Sequence, residues 1–266
     1  MITDHPLAGE LTRTKRGAQY FLSKPGIDDV AIVVKRFPRR EGATSAASFV
    51  LVHGIGVSSR YYHPVAEELA RHGEVFLVDL PGFGSAPDPR HNVSIEEHAR
   101  VLAGFLSLAG LQNPVLVGHS MGSQVVSRLA VDHPEISDRF VLVGPTAEPG
   151  HRTFLRQAWR LLVDITRETP AVNAVVFTDY LFRCGVPYFL RQLPNLLEDR
   201  IEDRLPSIEA PTLVLRGDRD PIVPREWAKR VAELLPNGSF AEVSGPHVIM
   251  HSDPVGTAAM IVRHAA

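Results

Sequence analysis

Ser120 stands in the run P-V-L-V-G-H-S-M-G at 114–122, where an apolar segment stops at two glycines that bracket a serine. A tight strand-to-helix reversal forces unfavourable backbone angles on its apex and tolerates little bulk two positions to either side. Gly118 and Gly122 meet that requirement, and the turn would lift the Ser120 hydroxyl to the N-terminus of a helix, where free N–H groups favour developing negative charge. The plainer reading is that the glycines only close a strand–helix connection. A serine hydroxyl becomes a nucleophile when a base takes its proton and an acid orients the base. Residues of both kinds follow downstream. Asp218 and Asp220 sit in a polar turn after Leu213-Val214-Leu215, and His247 follows the last strand-like run in S-G-P-H at 244–247.

These residues need elements to bring them together. Short runs rich in Val, Leu and Phe recur at Val30–Phe37, Phe49–Val52, Val75–Asp79, Pro114–Val117, Phe140–Val143, Thr212–Leu215 and Phe240–Val243. Each has the length of a strand, and most are too continuous to be half-exposed. Amphipathic stretches alternate with them. Tyr61–Arg71 places Val65, Leu69 and His72 at helical spacing, and Ser94 followed by Glu97 is a capping-box pattern opening a helix through Leu108. Ser120–Asp132 and Arg225–Leu235 read as two further helices. Alternating strands and helices predict an α/β fold: a mostly parallel twisted sheet with helices on both faces. Ser120, Asp220 and His247 each follow a strand, so they converge at the carboxyl edge, where open α/β sheets place their ligands.

The alternation breaks between Thr146 and Pro206. This stretch is helical and aromatic, with Phe154, Trp159, Phe177, Tyr180, Phe182, Tyr188 and Phe189, and its prolines at 170, 187, 194 and 206 divide it into about four helical pieces. An insertion at one end of a sheet reads as a lid. The chain is thus expected to comprise a core of 1–145 and 207–266 with a helical cap of 146–206. The cap aromatics Phe154, Trp159, Phe177, Tyr180 and Tyr188 are candidate pocket residues, together with His119 beside the serine and Val223 and Val248 beside the candidate acid and base.

In combination the chain resembles the α/β-hydrolase superfamily, in its compact, lidded, serine esterase-like branch. The resemblance runs from about Phe49 to Val262 and is carried by L-V-H-G-I-G at 51–56, V-D-L-P-G-F-G at 78–84, G-H-S-M-G at 118–122, G-D-R-D-P-I-V-P at 217–224 and G-P-H-V-I-M-H-S-D-P at 245–254. It implies Ser120 as nucleophile, His247 as general base and, because the family's acid follows Gly217 by three, Asp220 rather than Asp218 as the orienting acid. It also implies an oxyanion hole from the backbone N–H groups of Ile55 and Met121, whose side chains would floor an apolar pocket, with His53 ordering the loop.

The expected activity is hydrolysis of a carboxylic ester, or of a lactone or thioester, with an apolar moiety, through an acyl-enzyme. Dehalogenases and epoxide hydrolases of this superfamily carry aspartate at the nucleophile position, so Ser120 argues against both. Carbon–carbon bond hydrolases share the triad but typically show G-N-S-x-G, where this chain has His119. A ligand receptor that keeps the fold without turnover is the reading from another class.

Composition narrows the partners. The 266 residues are 44% hydrophobic and 22% charged, with a net charge of −2, which gives no reason to expect nucleic acid. No run approaches a membrane span, and the N-terminal residues lack the pattern of a secretory signal, so a cytoplasmic protein is expected. The single cysteine, Cys184, suits a reducing compartment. No grouping has metal-ligand spacing and the glycines at 82 and 84 form no phosphate-binding fingerprint, so neither metal nor cofactor is expected. The expected partner is a small, largely apolar substrate, and a homo-oligomer is left open.

Overall fold

The computed structural model describes residues 9–14, 17–27, 29–43, 47–146, 148–150 and 153–266, with the backbone alone for 154–158. Its strands are β1 (Glu10–Arg13), β2 (Gln19–Ser23), β3 (Gly26–Ile27), β4 (Val30–Ala31), β5 (Val33–Phe37), β6 (Ser48–Val52), β7 (Glu74–Asp79), β8 (Val115–His119), β9 (Phe140–Val143), β10 (Thr212–Gly217) and β11 (Gly238–Val243). Nine form one sheet in the order β1-β2-β5-β7-β6-β8-β9-β10-β11. From β7 to β11 every pairing is parallel, and β1, β2 and β5 add an antiparallel edge.

Because side chains alternate across a strand, each central run supplies two cores. Val50, Val52 and Leu116 face one side with Val125 and Leu129, while Phe49, Leu51, Val115 and Val117 face the other with Val65 and Leu69. The helices covering the faces include α1 (His63–Leu69), α2 (Ile95–Leu108) and α3 (Met121–Asp132). Between β9 and β10 lie α4 (Phe154–Arg167), α5 (Pro170–Asp179), a π-helical turn over Tyr180–Cys184, α6 (Val186–Glu198) and α7 (Ile201–Arg204). After β10 come α8 (Arg225–Leu234), α9 (Ile249–Ser252) and α10 (Pro254–Ala265). Among the described residues no helix is long and apolar enough to cross a membrane.

The Ser94–Glu97 capping box forms as the sequence indicates: Glu97 N–H donates to Ser94 Oγ at 3.1 Å and Ser94 N–H to Glu97 Oε2 at 3.0 Å. Three local expectations change. The run Val30–Phe37 is two strands, because Ile32 leaves the ladder and donates its N–H to the Pro25 carbonyl, so that β4 pairs with β3 in a separate two-stranded sheet. The helix expected over Tyr61–Arg71 starts at His63, after a 3₁₀ turn over Ser59–Tyr62, and stops at Leu69, leaving His72 beyond its end. Pro194 does not divide the insertion: α6 runs through it. A helix-interior proline costs about 3 kcal/mol, and burial of Tyr188, Gln192, Leu193 and Leu196 on the same helix offsets that.

Candidate active site

β8 runs directly into Ser120, and α3 begins at Met121. Ser120 holds φ 54° and ψ −117°, an angle pair that costs a non-glycine residue on the order of 1–3 kcal/mol. The flanking glycines are required by close approach. A Cβ on Gly118 would lie 2.3 Å from the Gly122 carbonyl oxygen, and one on Gly122 would lie 2.2 Å from that of Val52. Ser120 N–H donates to the Val143 carbonyl at 2.9 Å, and Ser123 Oγ donates to that of Gly118 at 2.8 Å. The strained turn is therefore held by its own strand β8 and by the neighbouring β9.

The two aspartates of the turn after β10 part company. Asp220 is buried. Its Oδ1 accepts the N–H groups of Ile222 at 2.7 Å and Val223 at 3.0 Å, and its Oδ2 lies 2.7 Å from His247 Nδ1. Asp218 instead accepts the N–H of Gly245 at 2.9 Å and holds the loop that carries the histidine. A carboxylate partner on Nδ1 leaves Nε2 as the free basic nitrogen of His247. Burial disfavours the imidazolium, but Asp220, with Asp164 and Glu168 beyond it, outweighs burial and raises His247 above the ordinary histidine range. Gly144, at φ 51°, lets the ring approach: a Cβ there would stand 2.9 Å from His247 Cε1.

The loop after β6 is ordered by His53. Its Nδ1 lies 2.7 Å from the Gly54 carbonyl and its Nε2 accepts the Leu80 N–H at 3.0 Å, so Nδ1 carries the proton. Burial lowers its pKa and keeps it neutral. Gly54 N–H donates to Tyr61 Oη at 3.1 Å, Tyr61 Oη lies 2.8 Å from His119 Nδ1, and His119 Nε2 lies 3.2 Å from the His247 carbonyl. Met121 is the first residue of α3, so its N–H has no intrahelical acceptor. Its side chain packs into the core beneath rather than flooring the pocket, whereas Ile55 does line it.

Ser120 and His247 open on one cavity of about 340 Å³. Of the residues named from sequence, His119, Tyr180, Val248 and Ile55 line it. Trp159 and Phe177 point outward, 65% and 62% exposed. Tyr188 is buried in the core, where its hydroxyl donates to the Pro81 carbonyl and its ring meets Phe83 edge-on. Val223 is a core residue whose N–H serves Asp220. The Phe154 side chain lies outside the described residues. The lining that sequence reasoning missed is mainly aliphatic: Leu161, Leu162, Ile165, Val176 and Leu193, with Phe189 and the carboxyl of Asp164. Asp164 breaks the apolar run L-L-V-D-I at 161–165, which was its only signal in the sequence. Among the described residues no group of three or more His, Cys, Asp or Glu side chains is arranged to hold a metal ion.

Comparison with known proteins agrees with this fold. A model described as "Alpha/beta hydrolase family" matches residues 49–260. The pimeloyl-[acyl-carrier protein] methyl ester esterase of Vibrio cholerae is 28% identical over 224 residues, covering 70% of this chain and 81% of that protein. Among solved structures, the enol-lactonase from Burkholderia xenovorans superposes with a TM-score of 0.78 at 17% identity, covering 91% of this chain and 99% of that one. A thermophilic esterase from Thermogutta terrifontis gives 0.74 at 23% identity, covering 92% and 97%. At such identities the two structures speak for the fold alone.

Proposed function

The chain belongs to the alpha/beta hydrolase family and is an enzyme, and on that footing we propose that it is a serine hydrolase of carboxylic esters with an apolar acyl or alcohol moiety. The observation that carries this reading is the 2.7 Å pairing of His247 Nδ1 with Asp220 Oδ2 at a cavity that also holds Ser120 at its strained turn. His247 Nε2 takes the Ser120 proton as Oγ attacks the ester carbonyl. The N–H groups of Ile55 and Met121 receive the oxyanion, and donors fixed there in advance stabilise charge that develops only in the transition state. Collapse expels the alcohol, which takes its proton from His247. Water then hydrolyses the acyl-enzyme by the same route.

The aliphatic lining supports an apolar moiety, and about 340 Å³ is at the small end of ligand cavities, which run from roughly 300 to 1,000 Å³. The insertion 146–206 acts as the cap over this cavity. The methyl ester named for the Vibrio relative is a carboxylic ester, in keeping with this reading. A panel of esters and lactones of graded acyl length, run on wild type and Ser120→Ala, tests the reading. Turnover and labelling of Ser120 by a fluorophosphonate are expected in wild type and absent in the variant; full activity in Ser120→Ala would refute it.

A further inference from the structure

The triad accounts for Ser120, Asp220 and His247, but the side chains that grip their loops come from elsewhere. Arg160, Asp164 and Arg167 follow one another at helical spacing on α4 and share a face, and Glu168 caps its C-terminus. The two arginines reach the turn of the candidate acid: Arg160 Nη1 donates to the Ile222 carbonyl at 3.1 Å, and Arg167 Nη1 to that of Arg219 at 2.9 Å. The two carboxylates reach the loop of the candidate base. His247 N–H donates to Asp164 Oδ1 at 3.2 Å, and Val248 N–H donates to Glu168 Oε1 at 2.7 Å. Guanidinium groups take carbonyls, carboxylates take amides, and each of these four contacts is to backbone.

We infer that α4 is the positioning element of the catalytic base, with Asp164 and Glu168 as positioning residues that fix His247 by accepting the consecutive N–H groups of residues 247 and 248. This rests on the reading of His247 as the base.

Other bonds reach this loop at its carbonyls and at the imidazole, through Arg219 N–H to the Gly245 carbonyl, His119 Nε2 to the His247 carbonyl and Asp220 to Nδ1, but none of them meets the amides of residues 247 and 248. Ser120 is fixed between β8, β9 and α3, but His247 follows β11, a half-exposed strand at the sheet edge. Gly245 is anchored through Asp218, and the next two free amides are met only from a helix some 80 residues away in sequence. Both accepting carboxyls are themselves buried. Burial, the largest influence on each, keeps them above the ordinary carboxylate range, Asp164 up to about 6 and Glu168 up to about 7. Such groups are costly to bury and are retained where they satisfy donors that would otherwise be orphaned. Without these two acceptors the amides and the imidazole lose their fixed bearing together, and a displacement of about 1 Å can cost on the order of 100-fold in rate.

The test compares truncation with isosteric replacement. Asp164→Ala and Glu168→Ala remove the acceptors and should each lower kcat on a turned-over ester by about 10- to 100-fold with KM within about threefold, and slow fluorophosphonate labelling of Ser120 in step. Asp164→Asn and Glu168→Gln keep an acceptor oxygen and should recover kcat to within about fivefold of wild type. A double alanine variant with kcat within about twofold of wild type, or one in which KM alone rises, overturns the inference. If the alanine variants fail to fold, hydrogen exchange on the wild type decides. The amides of His247 and Val248 should be protected, and exchange at the rate of open loops would count against the grip. Absence of ester turnover and of labelling in wild type would instead defeat the hydrolase reading, leaving the exchange measurement to judge α4 separately.

Discussion

The Nε2 atom of His119 lies 3.2 Å from the backbone carbonyl of His247, so the residue before the candidate nucleophile is bonded to the backbone of the candidate base. A carbonyl only accepts, so Nε2 carries the proton and Nδ1 must accept from the Tyr61 hydroxyl, whose oxygen in turn accepts the Gly54 N–H. One directed chain thus ties the candidate oxyanion loop, the turn at Ser120 and the histidine loop. Burial, with His247 alongside, holds the His119 pKa well below the usual imidazole value, so the chain keeps its direction across the working pH range.

Tyr61→Phe should break this chain while leaving the aromatic packing in place. It leaves the Gly54 N–H and His119 Nδ1 buried without partners, a cost of about 1–3 kcal/mol for a buried unsatisfied group. We expect a lower midpoint of unfolding in denaturant together with a roughly tenfold fall in kcat, since the loop carrying the Ile55 N–H loses its brace. A variant with both quantities unchanged would show that the chain positions nothing.

Gly144→Ala probes the candidate base from the other side. The new Cβ would stand 2.9 Å from His247 Cε1, on a residue at φ 51°. The left-handed region costs an alanine roughly 1–2 kcal/mol, and the imidazole must shift to make room. Activity should therefore fall by about 100-fold, far more than the loss of stability alone explains. Paired measurement of kcat and thermal unfolding checks this, and equal kcat in variant and wild type would contradict it.

Much of this arrangement was legible in the sequence because it is local. The elbow is written in Gly118 and Gly122, and the helix start in Ser94 and Glu97; each signal and its structural consequence lie within a few residues. Central strands were legible because burial on both faces leaves a continuous apolar run. β1 and β2 were not, since an antiparallel edge mixes Glu10, Thr12 and Arg13 with its apolar residues. The pocket lining was the least legible. Aromatic size says nothing about direction, and on α4 Trp159 turns outward while Leu161 and Leu162 reach the cavity. The bonds from Tyr61 to His119 and from Asp164 to His247 join residues 58 and 83 positions apart, so no local pattern records them.

The charge around His247 sets the pH dependence of activity. The proposed general base must be neutral to act, and Asp220 lifts His247 above the ordinary histidine value of about 6.5 despite its burial. In wild type, kcat/KM should therefore climb with pH along a limb centred above that value. Asp164→Asn removes one of the carboxylates that raise His247, so its limb should move to lower pH. A pH–rate profile on a single ester measures both, and coincident limbs in the two proteins would refute the electrostatic assignment.

The same carboxyls set a pH dependence of stability with the opposite sign to ordinary acid denaturation. Asp164 and Glu168 hold protons more tightly in the folded state than in the unfolded one, to about 6 and about 7. Their contribution is fully present below the unfolded carboxylate values near 4 and is lost as pH rises through the folded values. Burial is the main cause of these raised values, Asp220 adds to it, and together they outweigh His247 and, for Asp164, Arg167, which favour ionisation. Each group should remove on the order of 2–3 kcal/mol of folding stability between pH 4 and pH 8. Glu168→Gln cannot ionise, so it should match wild type near pH 4 and exceed it near pH 8 by about 1–3 kcal/mol. Denaturant unfolding at the two pH values measures this, and a difference that stays constant across pH would mean that Glu168 does not titrate in this window.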